Sequence, residues 1–464
     1  MRAVALAIAP LAVALALGLP GCALQSPPKS EDTRAQALPN LKPPPAWTTQ
    51  AGLAQPVVDG WLGTFHDAQL ETLVREALAN NPDLRVAAAR VEQAAGFVKS
   101  SGATLYPQVS LLARGGGPLS GDSSGLQGAG LFANWELDLW GRVRAGRASA
   151  STQYDSAALD AEYARQSMAA LVAKSRILAT EALQQKAIAE DMVAIGGRSL
   201  TLAQDRLRVG RGDESDVTLA RASVAMYRDS VRSLEFAYRQ ALRALETLLG
   251  RYPAGALEVP AQLPSMPGPI PVGLPAELLE RRPDVVAAER RVAAAFYLTE
   301  EAKAARLPRI SLTASVNSIS SELFVLKDRD NPVWSAGASL TAPIFLGGQL
   351  QAQVEIRTAE QKEAVADYGR IGARAFGEVE SALSAAIALE DREAILKEAV
   401  DLNARALEFA NVRYRVGVGD LRAVQQQALA LGAARTALLR VQAERLVQRV
   451  NLHLALGGSF EVKP

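Results

Sequence analysis

The sequence predicts a mainly α-helical protein that also contributes β-strands to a membrane β-barrel, with the whole unit duplicated. Three observations lead to this fold class. The chain repeats itself at a nearly fixed offset, it contains two very long segments without proline, and it has four strand-length segments of alternating polarity. Each half is therefore predicted to run in the order helix, strand, strand, long helix, long helix.

The repeat is visible in short motifs and in their spacing. Asn81-Pro82-Asp83 recurs as Arg282-Pro283-Asp284, and Pro107 recurs as Pro308, so both prolines return 201 positions later. Val-Gly occurs at 209–210 and again at 416–417, and a second glycine follows each pair 40 residues later, at 250 and 457. Spacing conserved at this level indicates a duplication, with a first repeat at 61–259, a linker at 260–273 and a second repeat at 274–464.

Long helices are predicted on either side of each Val-Gly pair. Residues 144–208 and 349–415 contain no proline, and apolar residues in the first of these recur three and four positions apart. At 1.5 Å per residue each segment would be on the order of 100 Å long if it were one helix. Each Val-Gly is then the tip of a helical hairpin, since glycine commonly ends a helix.

Four strands are predicted at about 106–114, 128–140, 308–319 and 332–345, with apolar and polar residues in alternation. Their length suits a tilted crossing of a bilayer, although a small soluble sheet is the alternative. Within lipid only a closed barrel pairs every backbone group. Four strands are too few for that, so three chains would share twelve strands or four chains sixteen.

Composition excludes several functions. The chain has 464 residues, 49% of them apolar, with 50 basic against 49 acidic side chains. This balance argues against a nucleic-acid partner, which requires a basic surface. Two histidines and one cysteine leave few groups for a metal site or for Cys/His catalysis, so neither an enzyme nor a cofactor is predicted. His66 and His453 are expected to be structural.

The N-terminus predicts export and a lipid anchor. Residues 1–21 combine Arg2 with an apolar run, as in a signal peptide. Leu19-Pro20-Gly21-Cys22 resembles the bacterial lipobox, which implies that Cys22 is acylated and becomes the first residue. Ala23, rather than Asp, then suggests sorting to the outer membrane. An ordinary signal with an unrelated cysteine is the alternative. Residues 22–60, rich in proline, are predicted to be an extended tether.

Two motifs resemble the outer-membrane efflux factor family of the TolC and OprM type, in its lipoprotein subgroup. They are Trp-Glu-Leu-Asp-Leu-Trp-Gly-Arg at 135–142 and Ala-Pro-Ile-Phe-Leu-Gly-Gly at 342–348. The resemblance implies a homotrimer with a twelve-stranded outer-membrane barrel and a periplasmic helical tunnel. It implies a passive exit duct for small toxic compounds, in particular drugs, that works with a periplasmic adaptor and an inner-membrane pump of the resistance-nodulation-division type. A lipid-anchored periplasmic adaptor or scaffold, or a type I secretion channel, is the alternative.

The resemblance also implies site residues. The adaptor would dock on the two tips, formed by Val209, Gly210, Arg211, Val416, Gly417 and Val418. A periplasmic gate would lie next to them, with Asp216 and Tyr414 at positions that match the family. A carboxylate frequent in the family falls on Gln426, and an arginine of some members falls on Gly419. Asp420 and Arg422 are the nearby charged residues that would take their place.

Overall fold

The computed structural model describes residues 24–49, 52–53, 55–114, 127–320 and 333–461. The predicted signal peptide, Cys22 and most of both hairpin loops lie outside the described residues. The helices are α1 (Ser30–Ala37), α2 (Ala68–Asn80), α3 (Pro82–Ala103), α4 (Arg142–Arg208), α5 (Glu214–Leu248), α6 (Leu278–Arg281), α7 (Pro283–Ala304), α8 (Gln349–Val416) and α9 (Leu421–Ala455). The strands are β1 (Gln108–Arg114), β2 (Gln127–Leu137), β3 (Arg309–Ser320) and β4 (Val333–Thr341).

The chain divides into two compact units. One contains the strands, with Ala88–Leu159 and Val286–Ile371 together with the N-terminal residues up to Asn40. The other is helical and contains Leu41–Ala87, Asp160–Val285 and the chain from Gly372 onward. No helix within the described ranges is both long enough and apolar enough to cross a membrane.

The strand unit is a four-stranded antiparallel sheet in the order β1-β2-β3-β4. Its register places Val109, Ala133, Ala314 and Ala336 in one row and Leu111, Leu131, Val316 and Trp334 in the next row of the same face. The opposite face is mainly polar, with rows such as Gln108, Asn134, Thr313 and Gly337, although Leu112, Phe132 and Val333 also lie on it. The hydroxyls of Ser315 and Ser335 lie 2.6 Å apart on this polar face. The predicted alternation therefore does separate an apolar face from a polar one.

Two strands end earlier than predicted. β2 ends at Leu137 rather than near 140, because the Asp138 carboxylate accepts the N–H groups of Val143 and Arg144 in the first turn of α4. β4 ends at Thr341 rather than near 345. Pro343 follows, and it has no N–H to donate to a ladder. In both places the strand ends because the next residues belong to the following turn or helix rather than to the sheet.

The helical unit is organised around a core of apolar residues from α2, α4, α5 and α9. Trp61 is 2% exposed and lies parallel to the ring of His453, with 5.7 Å between ring centroids. Burial, with Arg449 nearby, lowers the pKa of His453 to about 3. His453 is thus a neutral part of this core at physiological pH, in agreement with the structural role expected for it.

In both repeats, the residue before a proline near the start of the repeat bonds the end of the last helix of that repeat. We call this contact the closure of the repeat. Asn81 Nδ2 donates to the Leu248 carbonyl in the last turn of α5, at 2.9 Å. Arg282 Nη1 donates to the Ala455 carbonyl in the last turn of α9, at 3.2 Å. Each repeat therefore joins its beginning to the end of its final helix, and these helix-end carbonyls gain a partner.

The closing contact of the second repeat, at Arg282, involves charged groups. Arg282 is fully buried, pairs with both carboxylate oxygens of Asp284 at 3.0 and 2.9 Å, and pairs with Glu378 at 2.6 Å. Burial disfavours the charged guanidinium, but these two carboxylates outweigh it and raise the pKa of Arg282. The first closure uses only the neutral amide of Asn81.

The predicted extended tether at 22–60 is wrong for the part that the structure describes. Residues Ser30–Ala37 form a helix, and Trp47 is only 7% exposed. The Trp47 indole donates to the Val272 carbonyl at 3.1 Å, and the Glu380 carboxylate accepts the N–H groups of Thr48 and Thr49 at 2.8 and 3.1 Å. The low apolar content that predicted a tether is compensated by one tryptophan and by backbone hydrogen bonds.

The two closures make a matched prediction about stability. Arg282→Ala leaves Asp284 buried without its closest cation, which should lower the free energy of unfolding by about 3–5 kcal/mol. Asn81→Ala removes two neutral hydrogen bonds, the one to the Leu248 carbonyl and the one from the Asp83 N–H to Asn81 Oδ1, and should cost about 1–2 kcal/mol. Thermal unfolding of the detergent-solubilised protein, followed by circular dichroism, measures both. A loss for Asn81→Ala as large as that for Arg282→Ala would contradict this ranking.

Candidate gate and docking site at the helix tips

Both tips end their first helix with the same hydrogen bonds. Gly210 adopts φ 73°, its N–H bonds the Leu207 carbonyl at 3.0 Å, and the Arg211 N–H bonds the Arg206 carbonyl at 2.8 Å. Gly417 adopts φ 85° with the equivalent bonds to Tyr414 and from Val418 to Arg413, at 3.2 and 3.0 Å. This is the Schellman motif, in which a left-handed residue, usually glycine, ends the helix.

A second glycine at each tip has a steric role that the sequence did not suggest. A Cβ on Gly212 would lie 2.6 Å from the backbone nitrogen of Leu207. A Cβ on Gly419 would lie 3.0 Å from the Cβ of Arg413 and 3.2 Å from the nitrogen of Tyr414. At both tips the returning chain therefore packs against the last turn of the helix that it has just left.

The second helix of each hairpin begins at an aspartate. Asp213 accepts the Ser215 N–H at 3.0 Å, and Asp420 accepts the Ala423 N–H at 2.7 Å. Both are N-caps, which satisfy backbone donors at the helix start. Asp420 was predicted as a nearby charge for the gate. In the structure its carboxylate caps α9, as the repeat-equivalent Asp213 caps α5.

A cluster of three side chains connects the two tips. The Tyr414 hydroxyl donates to Asp216 Oδ2 at 3.0 Å. The Arg206 guanidinium lies 4.4 Å from the centre of the Tyr414 ring, and its Nη1 donates to the Tyr414 carbonyl. Arg206 Nη2 also donates to the Arg211 carbonyl at 3.2 Å. Two of the predicted gate residues, Asp216 and Tyr414, thus touch each other, and Arg206 holds the tyrosine from the other side.

The environment keeps Tyr414 protonated. The side chain is 1% exposed within a core shared by α4, α5, α8 and α9. Burial and the hydrogen bond with Asp216 raise the pKa of Tyr414 to about 12, although Arg206 acts in the opposite sense. The phenol is therefore a hydrogen-bond donor throughout the physiological pH range.

Arg206 is the residue that sequence reasoning missed. It belongs to the motif Arg-Leu-Arg-Val-Gly at 206–210, which recurs as Arg-Tyr-Arg-Val-Gly at 413–417. The repeat of an arginine four residues before each tip glycine was the available signal. The helix period alone does not show that this arginine reaches the other tip.

The remaining predicted residues are exposed. Arg422 and Gln426 lie one helical turn apart near the start of α9, and both are exposed. Val209, Val416 and Val418 are 64%, 66% and 67% exposed, and Arg211 is exposed beside them. Each tip therefore presents apolar side chains around a glycine without a partner in the single chain. Within the described ranges, no group of three or more His, Cys, Asp or Glu residues could hold a metal ion.

Comparison with known proteins assigns the chain and its fold to a family. The family model described as outer membrane efflux protein matches residues 73–251 and 274–458. The chain is 30% identical to the pyoverdine export outer membrane protein OpmQ of Pseudomonas putida KT2440, over 96% of each protein. It is also 30% identical to the cation efflux system protein CusC of Escherichia coli O6:H1, over 96% of this chain and 98% of CusC.

Among solved structures, the outer-membrane channel OprN matches with a TM-score of 0.80 and 26% identity, over 94% of this chain and 97% of OprN. Such relatives are channels rather than enzymes, and the match excludes the alternative of a periplasmic adaptor. The chain belongs to the outer membrane efflux protein family, whose members are trimeric outer-membrane channels with a periplasmic helical tunnel that work with periplasmic adaptors and inner-membrane pumps to export toxic compounds.

Proposed function

We propose that this channel exports small toxic organic compounds, that its two tips dock the periplasmic adaptor, and that the Asp216–Tyr414 pair closes its periplasmic end. The observation that carries the proposal is the hydrogen bond between these two side chains, because it joins the first-half tip to the second-half tip. A duct that must stay closed until its pump engages requires a contact of this kind.

The gate is built to be reversible. One hydrogen bond to a charged acceptor contributes about 1.5–3 kcal/mol, which is enough to favour one state and small enough to be overcome by docking. Arg206 orients the ring while the hydroxyl faces Asp216. When an adaptor separates the tips, the Tyr414–Asp216 bond breaks without unfolding either helix.

The tips offer the adaptor both apolar surface and backbone access. Val209, Val416 and Val418 are exposed, and apart from the adjoining residues no atom of the described chain lies within 4 Å of a Cβ placed on Gly210 or Gly417. Glycine at these points lets the backbone of a partner approach closely. The exposed Arg211 adds a positive charge beside the first tip.

The proposal of an organic cargo is supported by the polar face of the sheet. Its rows carry hydroxyl and amide groups, such as Ser110, Asn134, Thr313 and Ser335, with Phe132 among them. These groups suit neutral and amphipathic solutes, whereas transition-metal cations favour imidazole and thiolate ligands. Among the relatives, OpmQ is named for pyoverdine export and CusC for cation efflux.

Removal of the gate bond should increase leak. Tyr414→Phe and Asp216→Ala each delete one partner, so the closed state should lose about 1.5–3 kcal/mol, a shift of roughly tenfold or more toward the open state. The readout is the conductance of the purified trimer in a planar bilayer. The double variant should leak no more than either single variant, because both remove the same bond.

Tyr227→Phe is the matched control, since Tyr227 is also buried in the core near the tips and has no part in the bond.

The bond between Tyr414 and Asp216 should persist at alkaline pH. The stability that Tyr414 contributes is fully present below the ordinary tyrosine pKa of about 10 and is lost as the pH rises through about 12. Unchanged conductance in both gate variants would remove the gate assignment.

A charge at the tips should uncouple the channel from its adaptor. Val416→Asp or Val418→Asp places a carboxylate where we propose an apolar contact, and drug resistance of the strain should fall to the level of a deletion strain. The amount of trimer in the outer membrane should not change. Tyr252→Asp is the control, because Tyr252 is 86% exposed but follows the opposite end of α5. Full resistance in both tip variants would argue against docking at this surface.

The cargo is tested by susceptibility. A strain without this channel should become more sensitive to antibiotics, dyes and detergents, and a plasmid copy should restore resistance. Parallel cultures with copper, silver and zinc salts test the cation alternative. Sensitivity confined to metal salts would contradict an organic cargo while leaving the channel function intact.

A further inference from the structure

Arg413 is the repeat counterpart of Arg206, yet it has no counterpart contact in the single chain. Both arginines stand four residues before a tip glycine. Arg206 bonds the other tip and is half-buried, whereas Arg413 is exposed. Within the described part of the chain, the Arg413 guanidinium has neither a hydrogen bond nor an ion pair.

The contact made by Arg206 provides an internal template. Arg206 donates to the carbonyl of Tyr414, the residue three positions before Gly417. That same carbonyl also accepts the Gly417 N–H. The repeat equivalent of Tyr414 is Leu207, three positions before Gly210, and its carbonyl likewise accepts the Gly210 N–H. A carbonyl has two lone pairs, so Leu207 retains one for a second donor.

Closure of the trimer determines which copy supplies that donor. Within one chain the first-half tip lies beside the second-half tip, as the Arg206–Tyr414 contact shows. When three copies form a closed ring, each second-half tip must then lie beside the first-half tip of the next copy. We propose that the Arg413 guanidinium donates to the backbone carbonyl of Leu207 of the partner subunit, so that six arginine–carbonyl bonds encircle the periplasmic end of the trimer.

The six arginine–carbonyl contacts, three within chains and three between chains, would differ in strength. Inside each chain the arginine bond is reinforced by the Tyr414–Asp216 bond. At the boundary between chains the equivalent positions are Leu207 and Ala423, whose side chains cannot form it. The contacts between subunits are therefore the weaker three, and they are where the ring separates first. The contact itself rests on the trimer and the repeat, whereas its part in closure rests on the gate proposed above.

Cysteine pairs test the contact directly. The double variant Arg413→Cys with Leu207→Cys, treated in membranes with a short bis-maleimide, should yield covalent dimers and trimers on denaturing gels. The pair Arg206→Cys with Tyr414→Cys is the matched control, because its link forms within one chain and leaves the mass of a monomer. The wild-type protein, which carries Cys22 alone, is the blank.

Covalent oligomers from the 413/207 pair support the proposal. If the 206/414 pair is linked within the chain and the 413/207 pair yields only monomers, the proposal is overturned. Arg413→Ala should also increase bilayer conductance severalfold, and Arg413→Lys should restore part of the closure because lysine still donates. Linked subunits combined with unchanged conductance in Arg413→Ala would preserve the contact and contradict the gate, so the two failures are distinguishable.

Discussion

The structure depends on four glycines in the left-handed region. Gly210, Gly250, Gly417 and Gly457 adopt φ between 70° and 85°, and each follows the last turn of one of the four long helices. A residue with a side chain adopts this left-handed conformation only at a cost in free energy, whereas glycine adopts it readily. These glycines fix where each helix ends, and therefore which carbonyls are free. The carbonyls that Asn81 and Arg282 bond belong to the final turns before Gly250 and Gly457.

Duplication explains the framework, and divergence between the halves explains the contact between the two tips. The glycines, the aspartate N-caps and the closing contacts occur in both halves. At the closing contact and at the tips, the halves differ in chemistry rather than in geometry. Arg282 replaces the amide of Asn81 with a buried charge network, and Tyr414 replaces the aliphatic Leu207 with a hydroxyl that reaches Asp216. A symmetric framework thus carries an asymmetric contact at the tips.

The sequence predicted those parts of the fold that depend on local periodicity. Alternation identified the strands, and proline-free segments identified α4 and α8, because both signals arise within a few residues of the chain. Contacts between residues far apart in the sequence could not be predicted from such local patterns. Arg206 reaches Tyr414 across 208 positions, and Glu380 binds the backbone at Thr48 across 332 positions. Asp420 illustrates a different limit, since a carboxylate near a pore and a carboxylate that caps a helix have the same sequence signature.

The four-stranded sheet has a consequence for how the protein is made. Among the described residues, β1 and β4 each pair with a single strand, and the residues of β4 are exposed throughout. Unpaired edges of this kind readily pair with other chains. A newly exported copy thus has two unpaired strand edges as soon as its sheet forms. These edges become paired when three copies assemble into the trimer. We therefore expect assembly of the trimer to depend on the concentration of newly exported chains, because correct strand pairing between copies competes with aggregation.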